Sequence, residues 1–455
     1  MDVVALSKFQ FAMTVFYHFL FVPLSIGLGL TMALAELRYY KSGDEKDLAA
    51  SNFWIKVFTA TFAVGVATGI TMEFAFGTNW ANYSRFVGDI FGAPLAAEAI
   101  FAFFLESTFL AILLFGRNRV SKKFFMVSAW LVWCGSLLSA LWILIANSWM
   151  QTPAGYEIVQ TEAGSKAVLT DFFAAALNHT TVQRYFHVIV AIGIVGGFCT
   201  MAIAAYNYLH KKNHHFARTT MKVGIAIALI SSLLMLPAAH MMALAVANNQ
   251  PSKLAAIEGH WETGPMAMSI LGWINTKTET THALAIPGAI GLLTNLDPKT
   301  PFTGLNDIAP ADRPPLQVVF QSYRFMVLLY GVILLTILYA WWLNRKGTIA
   351  EQRWFLKFLL WMPLIPMLAI QLGWIVTEMG RQPWIVWGEL RTADAVSAVV
   401  PAGQVLFTII MFLIIYTAIY FAWARIVLHH IKRGPVLPDG TPLAELATEG
   451  EGESC

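Results

Sequence analysis

Nine long apolar stretches constrain this chain more than any other feature of its sequence. Each holds about 20 predominantly apolar residues, enough for an α-helix to cross roughly 30 Å of hydrocarbon. They lie near residues 11–36, 53–76, 95–115, 124–147, 185–208, 222–246, 323–343, 358–377 and 402–424. Only 13% of the 455 residues are charged, whereas a soluble domain usually carries about 25%. The pattern predicts an all-α polytopic membrane protein with about nine transmembrane helices.

The distribution of basic residues predicts the orientation of these spans. Of the 30 Lys and Arg residues, 18 fall in five short segments that follow spans one, three, five, seven and nine. With nine spans, all five segments lie on one side. The positive-inside rule then places the N-terminus outside and the C-terminus in the cytoplasm. The first residues lack the charged region and cleavage site of a signal peptide, so the first stretch is expected to remain as a span. The formal net charge of +3 does not indicate nucleic-acid binding.

The chain divides into three parts by composition. Residues 1–433 form the predicted nine-helix membrane domain, and within it residues 247–320 form an external connection between spans six and seven. Connections of that length are usually functional or disordered. Residues 434–455, with Pro, Gly and Glu, are predicted to be a disordered cytoplasmic tail. No internal repeat is visible, so an inverted-repeat transporter lacks its expected signature. The three scattered cysteines support neither a disulfide nor a cysteine metal site.

Ionisable side chains inside spans are costly and by default indicate a functional site. Counted at about 1.5 Å per residue from the predicted helix ends, the candidates toward the outer face are His18, Glu98, Glu106, His187, His240, Met326 and Glu378. Glu36 and Lys56 lie at inner helix ends, where snorkelling toward water accounts for them. For Glu73 and Asn147, at outer helix ends, capping or a hydrogen bond between helices competes evenly with a role in proton access.

Haem binding would explain why histidine, methionine and carboxylate side chains gather near one membrane surface. Haem iron takes axial His or Met ligands from helices, and its propionates require polar partners at the boundary. Arg324, Arg381, Trp374 and Trp384 are placed for that second role. Against this, each lone His or Glu could be merely hydrogen-bonded between helices, and Met326 is a common type of packing residue. The adjacent histidine pairs fall in basic segments, so a copper-haem oxidase is not predicted.

At these residues the sequence resembles subunit I of cytochrome bd-type quinol oxidases, over the whole chain except its tail. The motifs that carry the resemblance are Gln10–Met13, Tyr17–Pro23, Gly65–Gly69, Thr71–Phe74, Gly77–Trp80, Gly88–Pro94, Phe103–Thr108, Gln250–Glu258 and Gly380–Trp384. Many separate motifs in the same order make the resemblance specific. The stretch before span seven is short and lacks the insertion of the long-loop branch. This short-loop form is sometimes linked to cyanide-insensitive enzymes.

The resemblance implies three haems. His187 and Met326 match the axial pair of a low-spin haem b. His18 and Glu378 match the axial ligands of two high-spin haems, one b and one d. Which residue holds which haem stays open, and so does whether haem d or a third b-type haem is installed.

The resemblance also implies roles for other polar residues. Glu98 and Glu106 match carboxylates beside the di-haem site that handle protons. Lys253 and Glu258 match quinol-binding positions; without the resemblance, an ordinary surface charge pair would be the better interpretation. Arg324 and Arg381 match positions that hold haem propionates or tune the properties of a haem.

The implied function is oxidation of membrane quinol and reduction of dioxygen to water, which generates a proton-motive force without a pump. The expected partners are subunit II in a heterodimer and small single-span subunits. The expected location is the bacterial inner membrane. Two alternatives are a transporter that uses the intramembrane Glu and His residues, and a b-type cytochrome that only relays electrons.

Overall fold

A computed structural model describes residues 2–162, 164–437 and 443. Within these ranges, nine helices are long and apolar enough to cross a membrane. They are Val3–Ser42, Glu45–Thr78, Ala81–Phe115, Lys122–Gln151, Thr181–Leu209, His214–Asn249, Leu316–Lys346, Arg353–Met379 and Ala402–Arg433, called spans one to nine in chain order. The predicted nine-span helical fold is confirmed.

Every span is longer than the apolar stretch that predicted it, because polar turns continue the helix beyond the hydrocarbon and local caps satisfy the free N–H groups. The Asp2 carboxylate accepts from the Val4 N–H at 3.0 Å. Asp44 begins span two in the same way, accepting from the Lys46 N–H at 2.7 Å. Apolar length therefore underestimates these helices at their polar ends.

Two spans are irregular. Span three consists of α-helix Ala81–Ala97, a π-helix Glu98–Phe103 and α-helix Phe104–Phe115. Such π-turns are rare and occur frequently at functional sites. Span eight consists of helices Arg353–Trp361 and Leu364–Met379, and the break between them contains a proline, which has no N–H to donate.

Spans one, five and six pack closely through small residues. A Cβ built on Gly27 in span one would lie 2.7 Å from the Cα of Gly196 in span five, and one built on Gly197 would lie 2.7 Å from the Cβ of Ala228 in span six. Small residues allow helix backbones to approach in a membrane, where packing rather than water exclusion drives association. Span one, which also packs against spans two, four and nine, lies inside the bundle.

The connection between spans six and seven is ordered. The flanking helices reach Asn249 and resume at Leu316, so the connection is residues 250–315 rather than 247–320. It contains helix Pro251–Glu258, the paired strands Gly264–Pro265 and Pro301–Phe302, the hairpin Met268–Asn275 and Thr280–Ile286, helix Ala289–Asn295, and 3-10 turns Leu305–Asp307 and Pro310–Asp312. Its buried apolar side chains include Trp261, Ile274 and Leu305, which pack on the start of span seven. This small core explains why the segment is not a disordered loop.

The remaining elements are short. The connection after span four holds the hairpin Tyr156–Thr161 and Gly164–Leu169 and the helix Phe172–Ala176. A 3-10 turn, Ile349–Glu351, precedes span eight, and the strand pair Trp384–Val386 and Leu390–Arg391 follows it. Within the predicted tail, residues 438–442 and 444–455 lie outside the described residues, so the prediction of disorder there stays a prediction.

Candidate functional site

The end of span eight holds a carboxylate between two donors. Asn147 on span four donates from Nδ2 to Glu378 Oε1 at 2.9 Å, and Arg381 donates from Nη2 to the other oxygen, Oε2. The Arg381 side chain is buried, whereas that of Glu378 is 28% exposed. Asn147 therefore makes a hydrogen bond between helices. The carboxylate is held from both sides but retains an accessible part.

Beside this pair lies a buried network of amides and cations. Lys253 Nζ donates to Gln151 Oε1 at 2.6 Å and to Gln250 Oε1 at 2.9 Å. Gln250 Nε2 in turn donates to Gln151 Oε1 at 2.8 Å. Arg184 Nη2 reaches Gln250 Oε1 at 3.3 Å. Sequence reasoning missed Arg184 and Gln151 and gave Gln250 no role beyond its place in a motif, although an arginine one turn before His187 was a visible signal.

The charges of this network are not balanced. Lys253 and Arg184 are only 2% and 5% exposed, and their hydrogen-bond partners are neutral amides and the Thr180 hydroxyl. Burial lowers the pKa of Lys253 well below its ordinary value; the positive charge of Arg184 adds to this, and the Glu378 carboxylate opposes it. A buried cation is stable when an anion accompanies it. Within the described residues, the site can therefore accept further negative charge.

Glu258 belongs to a separate ion pair. It accepts from Arg324 Nη2 at 2.6 Å, and both side chains are 3% exposed or less. The backbone N–H of Ser269 donates to the same carboxylate at 2.8 Å and attaches the hairpin of this connection. Burial raises the pKa of Glu258 and the Arg324 charge opposes this rise. The interpretation of Lys253 and Glu258 as a surface charge pair is wrong, because both are buried and each has its own partners.

His18 is held against span two. Its Nδ1 lies 3.0 Å from the Thr68 hydroxyl, and its Cε1 would lie 3.1 Å from a Cβ built on Gly69. Glycine at that position lets the ring approach the helix. Because Nδ1 is engaged by the hydroxyl, Nε2 is the ring nitrogen available to a metal ion. The neighbouring Phe19 packs edge-on against Trp374 at 4.7 Å between ring centroids.

His187 and Met326 offer an imidazole nitrogen and a thioether sulfur as candidate ligand atoms. The Nδ1 atom of His187 is buried and has no hydrogen-bond partner among the described residues. The sulfur of Met326 would lie 3.2 Å from a Cβ built on Gly373 in span eight. Their pairing as ligands of one haem stays a prediction.

Two carboxylates of span three face span four. Glu98, at the start of the π-helix, accepts from the Ser139 hydroxyl at 2.8 Å. Glu106 is 4% exposed, and a Cβ built on Gly135 would lie 2.6 Å from its Cγ. The structure thus places both predicted carboxylates along one helix interface.

Other candidates lie apart. His240 is exposed on span six, so the structure does not bring it to the cluster. Glu36 does not snorkel: its side chain is 1% exposed and accepts from Arg117 at 2.8 Å. A charged partner in the turn between spans three and four makes that burial possible. Trp384 lies under the Arg391 guanidinium at 4.7 Å from the ring centroid.

The fold and these residues define a polytopic membrane protein with candidate metal ligands on several spans. The family model for cytochrome bd terminal oxidase subunit I matches residues 6–435, and the chain belongs to this family. The chain is 38% identical to cytochrome bd ubiquinol oxidase subunit 1 of Bacillus subtilis (strain 168), over 95% of this chain and 94% of that protein. It is 35% identical to cytochrome bd-II ubiquinol oxidase subunit 1 of Escherichia coli (strain K12), over 95% and 97%. The solved bd oxidase structure from Geobacillus thermodenitrificans matches with a TM-score of 0.87 and 28% identity, over 95% of this chain and 99% of that one.

Membership of a cytochrome family implies haem, and the residues present fit it. Besides the imidazole and thioether donors, two buried guanidinium groups have free N–H groups. Nε and Nη1 of Arg324 and of Arg381 are buried without a partner among the described residues. Propionate oxygens are the acceptors that such groups require. The donor set and the surplus positive charge therefore agree with haem groups bound at this end of the bundle.

Proposed function

We propose that this chain is the haem-bearing subunit of a respiratory quinol oxidase, which oxidises membrane quinol and reduces dioxygen to water. The two relatives at 35–38% identity are named as ubiquinol oxidase subunits. The observation that carries the proposal is the pair of buried guanidinium groups of Arg184 and Arg381, whose positive charge exceeds the single carboxylate of Glu378. Such a surplus suits a site that receives anionic groups.

The proposed haem positions follow the donors described above. His187 and Met326 hold a low-spin haem b, while His18 and Glu378 hold two high-spin haems, one b and one d or both of b type. Arg324 and Arg381, which have free N–H groups, would hold the haem propionates together with Trp374. When bound, haem supplies the one-electron steps and the site of dioxygen reduction. The chain's own contribution is to orient the ligands, as Thr68 does for His18.

Quinol oxidation is assigned to the ordered connection before span seven. Lys253 and Glu258, with the amides around them, offer donors and acceptors to a quinol ring. Each quinol gives up two protons and two electrons, and one dioxygen takes four of each to form two water molecules. Glu98 and Glu106 pass protons toward the reduction site, because carboxylates along one helix interface can accept and donate protons in turn.

The sidedness of these steps accounts for energy conservation. The N-terminus is outside and the C-terminus cytoplasmic, as the five basic segments indicate, and the membrane is the bacterial inner membrane. Protons from quinol leave on the outer side, and protons for water come from the cytoplasm. This separation generates a proton-motive force without pumping.

The partner is subunit II in a heterodimer, with small single-span subunits as further partners. Glu73 on span two supports a protein contact there, because this carboxylate is exposed in the isolated chain. Ser107 and Thr108 are exposed on span three. Polar side chains at membrane depth normally face protein or water rather than lipid. Subunit II is proposed to cover them.

The purified complex tests the proposal directly. A reduced-minus-oxidised spectrum with pyridine-haem analysis should show three haems, and quinol should drive oxygen consumption that builds a membrane potential in vesicles. His187→Ala or Met326→Leu should remove the low-spin signal and quinol oxidation. Glu98→Gln or Glu106→Gln should slow oxygen reduction while leaving that signal. A protein without bound haem would overturn the proposal, and oxygen consumption without a membrane potential would overturn its energetic part.

A further inference from the structure

A second polar site lies at the opposite, basic end of the bundle, between spans two and nine. A small cavity there, open to the surface, is lined by Asn52 and Lys56 of span two and by His430 and Arg433 of span nine. None of its lining residues is an Asp or Glu. Positions 52 and 56, one turn apart, share one helix face, as do 430 and 433 on the facing helix. Two helices thus direct basic groups into one concave space.

The chain end after span nine forms a wall of this cavity. Gly434 has φ +73°, and a Cβ built on it would lie 2.6 Å from the side-chain nitrogen of Asn213. Glycine is therefore required for the chain to turn against the start of span six. Gly434 and Val436 then line the cavity beside Arg433. The position of this wall therefore depends on packing between span nine and the start of span six.

The basic groups at this site are not used by the ion pairs nearby. Among the described residues, Lys56, His430 and Arg433 form no salt bridge, while Asp47 pairs with Arg38 and Glu36 with Arg117. Lys56 lies near the boundary of the apolar stretch of span two, at the depth where lipid headgroups meet a membrane helix. Lysine at a helix end commonly snorkels into water, but several basic groups around a cavity between helices are typical of an anionic headgroup site.

We propose that this cavity binds a phosphate group, supplied by the headgroup of an anionic phospholipid in the leaflet at the basic end. Lys56 and Arg433 provide the charge, and the Asn52 amide and the His430 ring provide further hydrogen bonds. Arginine suits a phosphate because its planar N–H groups match two oxygens at once. The site is separate from the haem and quinol residues and does not depend on the proposed function.

The test is native mass spectrometry of the purified oxidase complex with phosphatidylglycerol, phosphatidylcholine and inorganic phosphate as probes. Lys56→Gln/Arg433→Gln should weaken phosphatidylglycerol binding on the order of tenfold or more. The matched control is Arg119→Gln/Lys123→Gln, which removes two exposed charges at the same end of the bundle but outside the cavity. Phosphatidylglycerol retained by the control and lost by the cavity variant supports the proposal. Binding of inorganic phosphate alone, with the same dependence on the variants, supports a phosphate site with a soluble source.

Three outcomes would overturn the proposal. Equal loss in both variants would mean that general surface charge attracts the lipid, and no loss in either would mean that the cavity does not bind it. A chain truncated after Leu437 tests whether the acidic tail competes with the lipid for the cavity. If phosphatidylglycerol bound only after truncation, the tail rather than lipid would fill the cavity in the complete protein.

Discussion

The contact between His18 and span two makes a specific prediction for Gly69→Ala. The new Cβ would lie 3.1 Å from His18 Cε1, whereas ordinary van der Waals contact begins at 3.4 Å. The ring must therefore yield by about 0.3 Å, which exceeds the tolerance of about 0.2 Å expected of a metal–ligand bond. The 3.0 Å contact between Nδ1 and the Thr68 hydroxyl limits how the ring can move. We expect the high-spin haem signal assigned to His18 to shift or weaken.

The overall stability should change little. Relieving the close contact costs about 1 kcal/mol, and replacing Gly by Ala inside a helix stabilises it by about the same amount. The two effects nearly cancel, so the thermal midpoint should stay within a few degrees while the haem spectrum changes. Reduced-minus-oxidised spectra and thermal unfolding of the same preparations measure both quantities.

Gly65→Ala is the matched control. It lies one turn away on the same helix, and its Cβ would lie 3.8 Å from the nearest atom, a side-chain oxygen of Ser25. This variant gains the same helix propensity without pressing on His18. A high-spin spectrum that is unchanged in Gly69→Ala, or changed equally in both variants, would refute the assignment of His18 as a ligand.

Three further predictions concern other contacts of the site. Gly373→Ala should displace the Met326 sulfur, which lies 3.2 Å from the new Cβ, and alter only the low-spin signal; a change confined to the high-spin signal would contradict that ligand assignment. Glu258→Gln removes the carboxylate from a buried ion pair, so the thermal midpoint should fall, with a loss of about 3 kcal/mol, and unchanged calorimetric unfolding would contradict this. Gly135→Ala should push aside the Glu106 side chain, whose Cγ lies 2.6 Å from the new Cβ; oxygen consumption should slow while the low-spin spectrum stays normal, and full turnover would count against a proton-carrying role.

The sequence by itself determined the nine spans and the ionisable residues within them. Both depend on local information: about 20 consecutive apolar residues are sufficient for a span, and a charged residue inside one is unusual wherever it falls. His18, His187 and Glu378 could therefore be selected as candidates without coordinates. The lengths of the helices were underestimated because their polar ends carry no apolar signal.

Only the tertiary structure decided which polar side chains bond to each other. Lys253 and Glu258 lie on one short helix, yet one bonds to Gln151 and the other to Arg324, 102 and 66 residues away. Whether a carboxylate such as Glu36 snorkels or is buried depends on whether a cation from another segment of the chain reaches it. These contacts join segments distant in the chain and have no local pattern. Hydropathy thus specifies which segments enter the membrane, whereas helix packing specifies which charges meet there.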